Sequence, residues 1–470
     1  MAADLIIKNG TVVSLFGVLK TDIAIEGEKI SAIGEQGAFA QAERVIDATG
    51  KIVIPGGIDP HTHFEINFMG EASPETWDTA TMAAAIGGTT TVVDHAPREE
   101  DESLLEAVKR QFVKAEKLSA IDYSTRGMFV NLTGDMDSVI GGMEDVINYG
   151  IPTFKAFQIF TKAGWFTDDW QLYRLLRRAG ELGAIVTIHA EDCLVGEGLQ
   201  AELVSQGKTD PKYHGVAKPN LIENLAIYTC MEMAQALGAK VYIVHTSTKE
   251  APGIIGSYRQ KGLTVFCETC THYLWLTEAT FEPRFPRGVM YMCSPPLRKQ
   301  EDIEAIWQGI KQGTVRTVGS DHAPFTMKQK KDNSETFASI PNGFPGVEPR
   351  VPVVFQEGVL KRGLSLQRFV EVVSTNAAKI FGLYPKKGVI APGSDADIVI
   401  IDPDKKHSLN AADLHMGTDL SVFEGMEVTG WPIATILRGQ VIVENEDFVG
   451  KSGYGQFVKG KLDASVIATV

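Results

Sequence analysis

Ile52-Val53-Ile54-Pro55-Gly56-Gly57-Ile58-Asp59-Pro60-His61-Thr62-His63 is an apolar, extended-looking run that ends in two histidines one residue apart. Side chains at i and i+2 of an extended segment point the same way, so both imidazoles can reach one ion. The design returns further along the chain. Lys155 stands in Thr153-Phe154-Lys155-Ala156-Phe157, and His189 ends Ile185-Val186-Thr187-Ile188-His189. His245 follows Val241-Tyr242-Ile243-Val244, and Asp321 follows Val318-Gly319-Ser320. Chemically capable side chains at the ends of successive apolar strands are the pattern of a (β/α)₈ barrel, whose site is built at the strand C-termini.

The segments between these runs fit that reading. Strands are predicted at Ile52–His61, Thr89–Asp94, Ile121–Val130, Pro152–Phe157, Ile185–His189, Val241–His245, Val265–Glu268 and Val315–Ser320. Helical patterns fall between them at Trp77–Gly87, Glu102–Leu118, Asp168–Leu182, Asn220–Leu237 and Lys299–Gln312. Eight strands alternating with helices predict an α/β fold with a TIM barrel, and a doubly wound open sheet is the alternative. The first fifty residues and the stretch 388–446 read instead as short strands. The early ones, Leu5–Ile7 and Thr11–Val13, are expected to be separated by a turn at Asn9-Gly10. Neither end has enough strands to bury a sheet face alone, so the two together predict a small β-sandwich domain built from both termini. The expected division is 1–54 and 388–446 for the sandwich, 55–387 for the barrel, and 447–470 for a C-terminal tail in an oligomer contact.

Composition narrows the function. The chain has 470 residues and a formal net charge of −14, which disfavours nucleic acid and anionic membrane surfaces as partners. Its five cysteines are sparse for a disulfide framework. The start of the chain does not read as a signal peptide, and no window is apolar enough to span a bilayer. A reducing cytoplasm is the expected location. Cys267-Glu268-Thr269-Cys270 has no second pair and reads as the end of a buried strand.

His61, His63, Lys155, His189, His245 and Asp321 form a candidate ligand set for two metal ions. A lysine ammonium has no lone pair and repels cations. Lys155 can serve only as a neutral amine that has taken up carbon dioxide to become a carbamate, whose two oxygens can bridge two ions. Two ions about 3.5–4 Å apart share a water and lower its pKa. Asp321 is placed to be both ligand and general base. His322 reads as an outer partner of the site or as scaffold. His95, in Val92-Val93-Asp94-His95-Ala96-Pro97, and His272 read as structural or outer groups.

Ordered motifs run nearly end to end. Among them are Pro-Gly-Gly-Ile-Asp-Pro-His-Thr-His at 55–63, Gly-Gly-Thr-Thr-Thr-Val-Val-Asp at 87–94 and Phe-Lys-Ala-Phe at 154–157. His-Ala-Glu follows at 189–191, Lys-Thr-Asp-Pro-Lys-Tyr-His at 208–214, Ser-Pro-Pro-Leu-Arg at 294–298 and Gly-Ser-Asp-His at 319–322. On these the chain resembles the dihydropyrimidinase and hydantoinase family of cyclic amidohydrolases. The resemblance implies two Zn²⁺ ions bridged by N6-carboxylated Lys155, a homotetramer, and hydrolytic opening of a small cyclic amide, a hydantoin or dihydropyrimidine. It implies that Ser294 and Asn342 hold the ring through backbone groups. Allantoinase or another cyclic imide hydrolase is the alternative activity. A non-catalytic assembly homologue is a further one, opposed by retention of the whole ligand set. One position departs from the family pattern. Dihydropyrimidinases and D-hydantoinases carry a tyrosine five residues after the bridging lysine, as a donor to the oxyanion, and this chain has Phe160. Such a donor is worth about 2.7–4 kcal/mol. Thr161 is one candidate replacement. Dihydroorotases carry a carboxylate-gripping arginine where this chain has Glu65.

Overall fold

Eight short parallel strands position the site. They are β1 Gly57–Asp59, β2 Thr89–Pro97, β3 Asp122–Met128, β4 Thr153–Phe157, β5 Ile185–His189, β6 Lys240–Ile243, β7 Val265–Cys270 and β8 Thr317–Gly319. The structure is a computed structural model and describes residues 3–132, 136–282 and 288–470. Each strand pairs in parallel with its neighbour in sequence, from β1 through to β8. An open doubly wound sheet would reverse its strand order at a switch point, and this one does not. The seam between β8 and β1 is closed just past the strands. There Thr62 bridges His322 in parallel, the His63 amide donates to the His322 carbonyl at 2.9 Å, and the Ser320 amide donates to Asp59 at 3.1 Å. The result is a (β/α)₈ barrel.

The predicted helices form where local chemistry starts and stops them. Thr76, Ser103 and Asp168 close capping boxes on helices Trp77–Ile86, Leu104–Leu118 and Asp169–Leu182. Gly183, Gly238 and Gly313 end helices Asp169–Leu182, Asn220–Leu237 and Gln300–Gln312 in the left-handed region. Leu172, Leu175, Leu176 and Ala179 repeat at helical spacing and are buried against the barrel.

Two expectations change in detail. The run Ile52–His61 is not one barrel strand. Ile52–Pro55 belongs to a second sheet, and the chain crosses into the barrel at Gly56-Gly57. A Cβ at Gly56 would meet Thr90 Oγ1 at 2.0 Å, so only glycine lets the two sheets come this close. Asn9-Gly10 is not a turn either. Ala3–Ser14 is one long strand with a bulge there: Asn9 adopts φ 63° and its amide donates to Asp22.

Among the described residues the second sheet has nine strands, drawn from both ends of the chain. Ile52–Pro55 is the link, parallel to Ala3–Ser14 on one side and antiparallel to Ile398–Ser408 on the other. Leu5, Ile23 and Ile25 from the first part share one apolar cluster with Ile398, Ile400 and Ile436 from the second. The tail lies on its own barrel: Gln456 and Val458 bracket Tyr123 through backbone hydrogen bonds, and Val458, Ile467 and Val470 pack in a cluster with Ile58, Val93 and Ile185.

Asp122, Asp395 and Asp397 converge where barrel, second sheet and tail meet. Their centre is filled by Lys387, whose Nζ lies 2.5, 2.9 and 2.6 Å from them, while Arg438 also donates to Asp122. Burial opposes the lysine's charge, but the three carboxylates hold its pKa above the ordinary value. Replacing Lys387 by Met leaves buried carboxylates unpaired. The expected loss is about 3–5 kcal/mol, read from denaturant midpoints.

Candidate metal centre

All six candidate ligands line one pocket at the C-terminal mouth of the barrel, together with Ser294, Asn342 and Phe160. Lys155 projects from β4 and His189 ends β5. His61, His63, His245 and Asp321 lie in the loops just past β1, β6 and β8. His245 and Asp321 are held at φ 36° and 50°. Such left-handed conformations are costly for residues with side chains, by about 1–3 kcal/mol, and concentrate at functional sites.

The set divides into two halves around Lys155. In one, the Nε2 atoms of His61 and His63 each lie 3.2 Å from Asp321 Oδ1. In the other, His245 Nε2 faces His189 Nδ1 at 2.9 Å. Lys155 Nζ is 3.5 Å from His61 Nε2, and no carboxylate among the described residues forms an ion pair with it. It is fully buried, and burial, helped by Arg126, pushes its pKa down to about 7. Burial likewise drives His61, His63, His189 and His245 below the ordinary imidazole range, the neutral form that ligates metals. Burial opposes ionisation of Asp321 as well. The hydrogen bond and charge of His63 outweigh it, and the carboxyl stays below its usual pKa.

Three glutamates missing from the sequence reading complete the site. Glu268 Oε1 accepts from His61 Nδ1 at 2.6 Å and from the His245 amide at 3.1 Å. Glu191 Oε2 accepts from His189 Nε2 at 2.7 Å and from Lys218 at 3.5 Å. Since a carboxylate only accepts, these bonds place the proton on the far side of each ring and turn a bare lone pair toward the pocket. Glu75 accepts from His322 Nε2, while His322 Nδ1 accepts from the Gly346 and Val347 amides. Both His322 nitrogens are therefore used, and its role is scaffold. The available signal was a charged residue inside an apolar strand, as Glu268 is in Val265–Cys270.

The donor set fits a metal cofactor. Among the described residues, His63 Nδ1 and His245 Nδ1 are buried without a partner, and imidazole nitrogens with a carboxylate oxygen are the donors that suit zinc. By contrast Thr161 does not face the pocket; its hydroxyl donates to Glu197. Glu65 is also turned away, accepting from the Trp77 amide and pairing with Lys114. Outside the ligands, Phe68, Phe160 and Trp165 wall the pocket and continue into a wider cavity of about 960 Å³.

The model of the amidohydrolase family matches residues 52–442. A D-hydantoinase of Geobacillus stearothermophilus is 42% identical, covering 97% of this chain and 96% of the relative. Among solved structures, the dihydropyrimidinase of Brevibacillus agri NCHU1002 superposes with a TM-score of 0.93 at 40% identity, over 98% of this chain and 99% of that one. The L-hydantoinase of Arthrobacter aurescens gives 0.89 at 29% identity, over 97% and 100%.

Because Glu268 sets the protonation and orientation of His61, Glu268→Gln is expected to weaken metal retention about 10–100-fold, measured by competition with a chromogenic chelator.

Proposed function

The chain belongs to the amidohydrolase family, in its hydantoinase and dihydropyrimidinase branch, and we propose that it opens a cyclic ureide by hydrolysing a ring C–N bond at a two-zinc site. His61, His63 and Asp321 would hold one ion, His189 and His245 the other, and carboxylated Lys155 both. One observation carries this reading: donors from four other strand ends meet around a buried lysine that has no carboxylate partner among the described residues. When bound, the ions polarise the ring carbonyl and bring the pKa of their shared water toward neutrality.

The chain's own groups do the rest. Asp321, ionised and within reach of both His61 and His63, accepts a proton from the attacking water and returns it to the departing ring nitrogen. Ser294 and Asn342 line the same pocket as the aromatic side chains and would hold the ring amide through their backbone groups. Lys218 donates to Ser294 Oγ at 2.5 Å and keeps that residue in place. Ile66, Phe68, Phe160 and Trp165 exclude water and favour a ring with an apolar substituent, which the outer cavity accommodates. This apolar wall favours a substituted hydantoin over allantoin, whose ureido arm would go unpaired against it.

The same reading includes a homotetramer in a reducing cytoplasm. Its support is the run of exposed Leu221, Leu225 and Tyr228 on helix Asn220–Leu237, and five buried cysteines that are all free thiols.

Purified protein is expected to contain about two zinc ions per chain and to open 5-substituted hydantoins, followed by loss of ring absorbance. Lys155→Ala should lose metal and turnover together. Turnover that survives exhaustive chelation would sink the proposal. Phe160→Tyr should raise turnover of dihydrouracil toward the about 10²–10³-fold that one oxyanion donor is worth. No gain would mean that the oxyanion is already satisfied.

A further inference from the structure

His95 ends up beside the first half of the site. It lies in β2, 1% exposed, with its ring centroid 4.9 Å from that of His61 and 4.2 Å from that of His63. One ring nitrogen of each of these three histidines lies within 4.8 Å of the others. The protonation of His95 is decided locally. Its Nδ1 lies 2.7 Å from the Thr62 carbonyl, which can only accept, so Nδ1 carries the proton. Nε2 is then a bare lone pair. It is buried and has no hydrogen-bond partner among the described residues. A buried acceptor without a partner is costly, so the arrangement asks for an electrophile at that point.

We infer that His95 Nε2 is an additional ligand for the ion held by His61 and His63, so that five imidazoles serve the pair of ions. The inference rests on the two-ion reading of the site. Its geometry has one requirement. The His63 and His95 rings are stacked only 15° from parallel, and lone pairs in parallel planes do not converge. Loading must tilt them. The Thr62 carbonyl anchors His95, so the tilt falls on His63, whose Nε2 contact with Asp321 Oδ1 at 3.2 Å gives way to the ion.

His95→Asn separates the two jobs of this side chain. The amide N–H of asparagine can still reach the Thr62 carbonyl, and nothing stands at the ε position. Apo wild-type enzyme and apo His95→Asn would be titrated calorimetrically with Zn²⁺ in bicarbonate buffer, then with Co²⁺ to record the visible spectrum. The wild type should take up two ions per chain. In the variant one of the two binding steps should weaken by at least about tenfold, the lower end of what even outer partners of a metal are worth. The other should stay unchanged, and the Co²⁺ bands should shift as one ligand is lost. Two steps of wild-type affinity with an unaltered spectrum overturn the role of His95 alone. Failure of the wild type to bind two ions overturns the two-ion reading, and this inference with it. Should the variant not fold, a crystal structure of the zinc-loaded wild type decides. Nε2 within about 2.0–2.1 Å of an ion, with the stack opened, is the expected result. A water in between, or an intact stack, rules it out.

Discussion

The controlling constraint is a dry pocket in which nitrogen donors outnumber their internal partners. Lys155, His61, His63, His189 and His245 are buried together, and burial takes charge away from every one of them. A neutral amine among neutral imidazoles, with one carboxylate at the rim, has little to satisfy it from within the protein. The surrounding fold nevertheless holds these groups together, down to left-handed backbone at His245 and Asp321. Such strain persists only where the rest of the structure over-determines it. The barrel does so through a parallel sheet closed at its seam by Thr62 and His322.

A second layer of acids fixes how the donors face the pocket. Glu268 and Glu191 orient His61 and His189 from behind, and Lys218 balances Glu191 while holding Ser294. Burial pushes the pKa of Glu268 up to about 7, whereas Lys218, with the hydrogen bond and charge of His189, outweighs burial at Glu191 and brings it down to about 2. The two halves of the site are therefore not electrostatically alike. The aromatic wall sets a different property. Phe160, in left-handed backbone, lays its ring beside His189 and Phe68 and offers no donor. With Thr161 bonded to Glu197, the proposed mechanism would lay polarisation of the carbonyl more heavily on the metal than it would beside a tyrosine hydroxyl.

Much of this was legible in the residues. Candidate ligands stood at the ends of β-periodic runs, and the runs alternated with helical patterns, so the barrel and the convergence of its strand ends followed from local patterns. The glutamates were not legible. Glu268 sat between two cysteines in an apolar strand, and nothing in its neighbourhood said which histidine it would meet 207 residues away. His95 was ambiguous for the same reason: its partner, the Thr62 carbonyl, is a backbone atom in the loop past β1. Local reading also misjudged Asn9-Gly10, where turn residues serve a bulge, because the partner strand decides whether such a pair reverses the chain or only kinks it.

What the chain determined by itself is therefore the periodic and the local: strand and helix order, cap residues, and the kinds of donor carried at each strand end. Those follow from propensities and spacings that act over a few residues. Tertiary structure alone decided which donors share a half of the site, which ring nitrogen faces inward, where Ile52–Pro55 leaves one sheet for the other, and that Lys387 fills a cluster of aspartates. These depend on groups far apart in sequence losing water together, and desolvation is a property of the packed whole.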